Sequence, residues 1–315
     1  MKHNAMIRIV LWSLLALVLL GILITSLFGY VGRNRFRIST EATVVQVDLS
    51  QAAAGNATQE AIPETVPATI PQTTPVTAPS SPAAGIAIDP SQVRNLEIDW
   101  AAGSVTIAPS DGNQIIISET PVDRPEEQLA YSLRGGTLRI LYHTKKTVPN
   151  FNHFHSKDLT ILVPQDFALN LLDLDTASAD LSISNMAMKD ADVDGASGRS
   201  RFENCRLGSL SVDTVSGDVF ISGQVTELDV DSTSSSIQAE LTNVPREISA
   251  DTTSGSLELT LPKDAGFTLE LETISGNFRS DFDTTKNGSI YRCGDGRCEI
   301  EVDSISGGVT IRKGA

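Results

Sequence analysis

The sequence predicts an all-β protein, a single-stranded β-solenoid similar to a parallel β-helix, preceded by one N-terminal transmembrane helix. Three observations predict it. Residues 9–28 are an uncharged apolar run, and a Pro- and Thr-rich stretch occupies 51–85. From 86 to 315 the chain repeats one short pattern, as in "VDTVSGDVFISG" at 212–223 and "VDSISGGVTIRK" at 302–313. A period of about 20 residues per coil is typical of a solenoid.

The apolar run follows a short tail, residues 1–8, and is long enough to cross a bilayer, because a spanning helix needs about 20 apolar residues. A cleaved signal peptide has a shorter apolar core and a small-residue cleavage site directly behind it. Here the run is followed by "GYVGR", without such a site. We therefore predict an uncleaved anchor that contacts the lipid bilayer through residues 9–28, and we take the signal peptide as the alternative.

Charges beside the apolar run do not determine its orientation. Lys2, Arg8 and the α-amino group precede it, and Arg33, Arg35 and Arg37 follow it. The positive-inside rule does not decide between three positive charges on each side. From the stalk and the repeats beyond it we predict a single-pass protein of a bacterial cell membrane with an extracytoplasmic C-terminal domain.

Two segments separate the apolar run from the repeats. Within the juxtamembrane segment, 29–50, the stretch "ATVVQVDL" at 42–49 has strand character but no predicted place. The stalk, 51–85, has a proline at every fourth position from Pro63 to Pro79, which favours extended polyproline II of on the order of 100 Å. Such a stalk would hold a domain away from a membrane. A polyproline-recognition ligand is the alternative, although no basic residue flanks the prolines.

Each repeat contains a Ser that is usually followed by Gly, and we interpret this step as a corner of the coil. Glycine tolerates the positive φ of a tight bend, and a Ser hydroxyl can bond nearby backbone. Apolar and polar residues alternate on both sides of the step, which predicts strand, corner, strand in every coil. The predicted corners are Ser178, Ser197-Gly198, Ser216-Gly217, Ser254-Gly255, Ser275-Gly276 and Ser306-Gly307, with Ser234 in a weaker copy.

An acidic residue occupies the same outward position in every repeat. Stacked coils would bring these carboxylates to about 4.8 Å from one another, where like charges repel. Bound Ca²⁺ is one remedy, but the calcium-binding solenoid pattern is absent, and solvated, splayed side chains are the simpler expectation. The predicted column is Asp175, Asp194, Asp213, Asp231, Asp251, Glu272 and Asp303.

The excess of acidic residues also limits the classes of partner that the chain can bind. The chain has 24 basic and 39 acidic residues, and residues 1–40 contain five of the bases and none of the acids. The remainder therefore has a formal net charge of 19 − 39 = −20. A body of this charge repels phosphate backbones, so we expect no nucleic-acid partner.

The segment "SIYRCGDGRCEIEV" at 289–302 is predicted to be a β-hairpin with a Gly-Asp-Gly-Arg loop. Cys293 and Cys298 flank this loop, and outside the cytosol a disulfide between them would be favoured. Two free thiols are the alternative, and Cys205 is expected to be a lone, half-buried residue. The loop amides could form an anion nest, although a plain turn is favoured. The segment "DRPEEQLAYSL" at 123–133 is the one candidate for a turn of helix.

Several stretches together resemble the bacterial putative-adhesin domain, a β-strand-repeat family of unassigned function. They are "LEIDWAAGSVTI" at 96–107, "DLTILVP" at 158–164, the repeated corner pattern, as in "VSGDV" at 215–219, and "CGDGRCEIEVDSISGGVTI" at 293–311. The resemblance covers about residues 86–315. It implies a repetitive all-β fold that is often attached to a membrane, and it implies no catalytic residue.

Motifs for catalysis and cofactors are absent from the sequence. There is no nucleophile elbow, P-loop, dinucleotide fingerprint or zinc-protease motif, so we predict no enzyme and no cofactor. "NHFH" at 152–155 could hold a transition metal, but an exposed loop is favoured because no further ligand accompanies it. A carbohydrate-active enzyme on the solenoid is a weak alternative, since aromatic residues amount to 5%.

We therefore predict a membrane-anchored, non-enzymatic cell-envelope protein whose solenoid, residues 86–315, serves as an adhesin-like binding or scaffold module. Its long faces would contact an extended partner such as a cell-wall glycan or an envelope protein. The alternative is an accessory or sensor component of envelope-stress signalling.

Overall fold

The computed structural model describes residues 85–121, 128–142 and 155–314. The predicted tail, transmembrane helix, juxtamembrane segment and all of the stalk except Gly85 lie outside the described residues, as does most of "NHFH". In the three described ranges, no helix is both long enough and apolar enough to cross a bilayer.

The N-terminal part of the described chain contains six strands and one 3₁₀ turn, Pro90–Gln92, which the Asp89 side chain caps by accepting a hydrogen bond from the Ser91 N–H. The strands are β1 (Ile86–Ile88), β2 (Asn95–Ser110), β3 (Ile115–Thr120), β4 (Ala130–Arg134), β5 (Thr137–Leu141) and β6 (Lys157–Pro164). The helical turn predicted within 123–133 is wrong for residues 130–133, which belong to β4 because they pair with β5 across a Gly-Gly turn.

The central part contains the longest strands, several of which run on through a corner. They are β7 (Ala168–Ser184), β8 (Ala187–Ser197), β9 (Ser200–Ser216), β10 (Val219–Ser234), β11 (Ser236–Leu241), β12 (Glu247–Ser254) and β13 (Ser256–Leu261). The C-terminal part adds β14 (Phe267–Thr273), β15 (Phe278–Ser280), β16 (Thr285–Asn287), β17 (Ile290–Cys293), β18 (Cys298–Ser306) and β19 (Val309–Lys313).

The all-β prediction is confirmed, and equivalent positions of successive repeats pair in parallel. In the segments before the corners, Asp213 of β9 pairs with Asp194 of β8 and with Asp231 of β10. In the segments after the corners, Val219 of β10 pairs with Ser200 of β9 and Ile237 of β11. Every repeat thus contributes to two parallel ladders, one on each side of the Ser-Gly corner.

The stacking order departs from the chain order at both ends. Strand β18 lies between β12 and β14, and β19 lies between β13 and β15. The repeat at 298–313 is therefore inserted between the repeats at 247–261 and 267–280. At the other end β2 lies between β7 on one side and β5 and β6 on the other. At both ends the chain therefore passes over one position in the stack, and a coil from elsewhere in the sequence fills that position.

The hairpin predicted at 289–302 is wrong. Phe267 of β14 pairs with Cys293 of β17 on one side and with Cys298 of β18 on the other. The two cysteines therefore lie about two strand spacings, or roughly 9.6 Å, apart, beyond the Cα separation of a disulfide. The structure contains no bridge here: Cys205, Cys293 and Cys298 are buried free thiols. The loop between β17 and β18 passes over Gly266, where a Cβ would lie 1.9 Å from Asp295 Oδ1.

Inward side chains from both ladders form one continuous apolar core, as the alternation predicts. It is built mainly of Val, Ile and Leu, with Trp100, Phe202 and Phe267 as its largest fully buried members. Each such side chain stabilises the fold by about 1.5–3 kcal/mol relative to exposure. Because one core serves both ladders, the outward residues can vary without disturbing it.

Candidate functional site

The stack presents two long outward surfaces, which we call face A and face B. Face A consists of the outward side chains before the corners, on β2, β7, β8, β9, β10, β12, β18 and β14. Face B consists of the outward side chains after the corners, on β2, β7, β9, β10, β11, β13, β19 and β15. Because inward and outward residues alternate, each face repeats its side chains once per coil.

Face A carries an unbroken column of eight acidic residues. Asp99 joins the seven predicted members, because it pairs with Asp175 in the parallel ladder. The last two members, Asp303 and Glu272, occur in the opposite order in the sequence, because β18 lies between β12 and β14. In spatial order the column is Asp99, Asp175, Asp194, Asp213, Asp231, Asp251, Asp303 and Glu272.

A second column lies two residues before the first and is acidic at six of its eight positions. This column was not predicted, although the alternation that placed the first column also places this one. Its spatial order is Glu97, Asp173, Asp192, Ser211, Asp229, Ser249, Glu301 and Glu270. The ion pairs described for face A lie toward its margins, where Arg139 contacts Glu97 and Arg246 contacts Glu227.

Burial, together with crowding, makes these carboxyl groups harder to ionise. Burial, followed by the charge of Asp213, raises the pKa of Asp194 to about 7. The same two causes raise the pKa of Asp231 to about 7. Burial followed by neighbouring carboxylates raises the pKa values of Asp175 and Asp303 to about 6. Part of face A therefore exchanges protons in the mildly acidic range.

The acidic columns do not form a ready-made metal site. Within the described ranges, no three His, Cys, Asp or Glu side chains are grouped so that they could hold a metal ion. His155, the part of "NHFH" that is described, is exposed at the start of the segment leading into β6.

Face B has opposite charges placed side by side. Arg199 lies 3.2 Å from Asp180, and Arg201 lies 3.0 Å from Glu203 and over the ring of Phe220. The backbone N–H of Arg199, followed by its guanidinium, holds the pKa of Asp180 below its usual value. The same fold thus places carboxylates in opposite electrostatic environments on its two faces.

The predicted corner residues lie where the two faces meet, and the glycines are needed for a reason that the sequence did not show. Gly198 and Gly217 have positive φ, as expected for a bend, whereas Gly255, Gly276 and Gly307 do not. At five corners, however, a Cβ would collide with a carbonyl oxygen of the adjacent coil. The distances would be 2.2 Å at Gly198, 1.9 Å at Gly217, 2.1 Å at Gly255, 2.0 Å at Gly276 and 1.7 Å at Gly307.

The corner serines stack in register beside these glycines. Ser197 pairs with Ser216, which pairs with Ser234, and Ser254 pairs with Ser306. Where the side-chain bonds are described, the hydroxyl donates to a carbonyl of the neighbouring coil. Ser178 donates to Ala101 O at 3.5 Å, Ser197 to Ala177 O at 3.4 Å, and Ser275 to Ile305 O at 3.3 Å. The corner residues are therefore structural.

A buried ion pair at the N-terminal end of the core was not predicted. Lys157 Nζ lies 2.8 Å from Glu119 Oε2 and donates to Tyr142 O at 2.6 Å. The ammonium stands 5.0 Å from the centre of the Trp100 ring, whose Nε1 donates to Lys157 O. Buried charges need such compensation, so this cluster closes the end of the core. Trp100 was the available signal, because other repeats have Thr, Ser or Gly at its position.

Comparison with known proteins identifies one family for most of the chain. The family model Toastrack DUF4097 matches residues 93–312. No curated protein matches the sequence.

Similar solved structures are distant. A putative adhesin from Bacteroides fragilis is 14% identical, over 72% of this chain and 95% of that one, with a TM-score of 0.40. A putative adhesin from Parabacteroides merdae is 15% identical, over 73% and 94%, with a TM-score of 0.33. A putative lipid binding protein from Parabacteroides distasonis is 14% identical, over 71% and 94%, with a TM-score of 0.30.

Proposed function

Because the chain belongs to the Toastrack DUF4097 family, we propose that residues 86–315 form a β-solenoid that acts as a non-enzymatic, adhesin-like binding or scaffold module of the cell envelope. The observation that carries the proposal is the pair of regular faces, each continuous over eight strand segments. At about 4.8 Å per strand such a face is roughly 34 Å long. A partner that follows the whole face must span this distance, as a cell-wall glycan or an extended envelope protein does.

The proposal includes attachment to the bacterial cell membrane through residues 9–28, with the solenoid outside the cytoplasm. The uncharged apolar run supports the attachment, and the Pro-rich stretch behind it supports a separate, exported domain. The test is digestion by a membrane-impermeant protease added to intact cells, or to protoplasts where a wall blocks access. Digestion of 86–315 is expected, and digestion only after lysis would refute the envelope location.

Binding is tested with the full chain in detergent and isolated cell-wall material. The first variant combines Asp194→Asn, Asp213→Asn and Asp231→Asn on face A. Its matched control combines Glu203→Gln, Glu240→Gln and Glu258→Gln on face B, which removes the same number of carboxyl groups. Loss of sedimentation with the wall in one triple variant but not the other identifies the contact face. If the wild-type chain does not sediment with the wall, a wall glycan is not the partner.

A role as an accessory or sensor in envelope-stress signalling is the second candidate, and one observation favours it. The pKa values of about 6 to 7 on face A make its charge respond to mild acid. A sensor would need its own anchor to transmit the signal. Exchanging residues 1–30 for an unrelated anchor should then abolish an acid-induced envelope response, whereas a pure binding module would retain its function.

A further inference from the structure

Three of the four ends of the two ladders are covered by antiparallel strands. At the N-terminal end β4 covers β5 and β3 covers β6. At the C-terminal end β17 covers β14. The fourth end is β15, which pairs with β19 on one side, and no strand of the described ranges pairs with its other side. Face B therefore ends in an open sheet edge.

The backbone of β15 has groups available at this edge. Val309 N–H donates to Asn277 O at 2.9 Å, and Asp281 N–H donates to Ile311 O at 2.9 Å. In a parallel ladder alternate residues bond the same neighbour, so Phe278 and Ser280 direct their N–H and C=O groups away from β19. An unpaired edge of this kind is a template for another strand.

The side chains at the edge specify what that strand should look like. Phe278 is half-buried and packs against Tyr291, with ring centres 4.4 Å apart, and Ser280 ends an otherwise apolar inward column beside Ile311. Both inward positions would accept apolar neighbours. Arg279 points outward and is exposed, and none of the ion pairs described for the chain includes it. A complementary strand therefore has two apolar residues flanking an acidic one.

We propose that residues 42–49 of the same chain, "ATVVQVDL", add to the open edge of β15 as a further strand. This segment alternates, with Val45, Val47 and Leu49 on one side and Gln46 and Asp48 on the other. Placing Asp48 beside Arg279 puts Val47 and Leu49 on the inward side, next to Phe278 and Ser280, in either strand direction. Cross-strand pairs of opposite charge each contribute about 0.2–1 kcal/mol.

The connecting chain is long enough for this contact. Residues 50–85 comprise 36 residues, which span up to roughly 110 Å as polyproline II. The face B ladder from β1 to β15 contains eleven strands, or about 48 Å at the usual strand spacing. The segment can therefore reach the far end of the stack from its own chain.

A second copy of the protein fits the edge less well. Two β15 strands meeting about a twofold axis centred on Arg279 would place the two guanidinium groups opposite each other, and like charges in that position are destabilising. The chain's own segment supplies a carboxylate at the same place. The assignment of residues 42–49 to the β15 edge does not depend on the partner proposed for faces A and B.

The test is hydrogen exchange of the Phe278 and Ser280 amides in the full chain in detergent. In the wild type we expect both amides to be protected. The double variant Val47→Lys, Leu49→Lys should accelerate their exchange roughly tenfold or more, because Lys does not pack on the inward side. The matched control combines Val44→Lys and Gln46→Lys, which also introduces two Lys residues but on the outward side, and it should leave the exchange rates unaltered.

Three results would overturn the proposal. The first is rapid exchange of both amides in the wild type, and the second is equal protection in the wild type and the double variant. The third is protection that grows with protein concentration, which would assign the edge to a second copy. Exchange in the β9 and β10 amides, at the centre of the stack, verifies that all variants are folded.

Discussion

Faces A and B have the same backbone ladders and the same core behind them, yet they treat charge in opposite ways. Asp231 on face A is partly buried and has carboxylates as cross-strand neighbours, and these two causes raise its pKa to about 7. Asp180 on face B has the backbone N–H and guanidinium of Arg199, and its pKa is lowered. The stack therefore tolerates a strongly unfavourable surface because its stability comes from the core and the corners.

The most damaging change should be one at a corner, which both faces share. Gly307→Val would place a Cβ 1.7 Å from the backbone oxygen of Gly255, which cannot move without displacing the adjacent coil. We expect the free energy of unfolding to fall by about 3 kcal/mol or more, measured by urea denaturation. The control is Gly112→Ala, where the nearest atom would be 3.5 Å away, and it should change stability by less than about 0.5 kcal/mol. Equal stability of the two variants would refute the role of the corners.

Acidification should reveal the difference between the faces as a whole. A carboxyl whose pKa is raised by folding binds protons more tightly in the folded state, so stability increases as pH falls. For the groups with values of about 6 to 7, the gain should accumulate between pH 8 and pH 5. Since these groups are partly exposed, we expect a total of about 1–3 kcal/mol in urea denaturation. Stability that falls from pH 8 to pH 5 would contradict the crowding of face A.

The smallest effects should come from single charge removals, with opposite signs on the two faces. Asp231→Asn should stabilise the protein by about 0.5–1 kcal/mol at pH 8, because a repelling charge is lost, and should have little effect at pH 5. Asp180→Asn should destabilise it by about 0.5–1 kcal/mol at both pH values, because its stabilising contacts with Arg199 persist until the carboxyl is protonated at lower pH. Urea titrations at pH 8 and pH 5 measure the free energy of unfolding of each variant relative to the wild type. Changes of the same sign for the two variants at pH 8 would refute the comparison.

The sequence predicts what is repeated within a coil better than how the coils are ordered. The alternation around each Ser-Gly step placed the acidic column and the inward Val, Ile and Leu residues correctly. The order of the last two coils was not predictable in this way, because the repeats at Ser275 and Ser306 fit either position in the stack. Only pairing across the sheet shows that β18 separates β12 from β14 and that β17 does not pair with β18.

The remaining surprises depend on contacts between coils. Gly255, Gly276 and Gly307 are required by the carbonyl oxygens of adjacent coils, and no property of one repeat shows how closely two backbones approach. The Lys157–Glu119 pair joins residues 38 positions apart, at the end where the repeat pattern stops. Long-range contacts of this kind have no local signature beyond the unusual Trp100.

The inserted position of β18 and β19 has a consequence for protein synthesis. A ribosome makes the coil of β14 and β15 before it makes the strands that must lie beneath it. The nascent chain therefore cannot add its coils to the stack in the order in which they are synthesised. Strand β14 has no parallel neighbour until residues 298–313 have left the exit tunnel. A polypeptide broken off before that point lacks an internal layer rather than an outer one. Such a fragment would expose unpaired strand edges of two coils, and the core side chains between them, to the proteases that remove incomplete products.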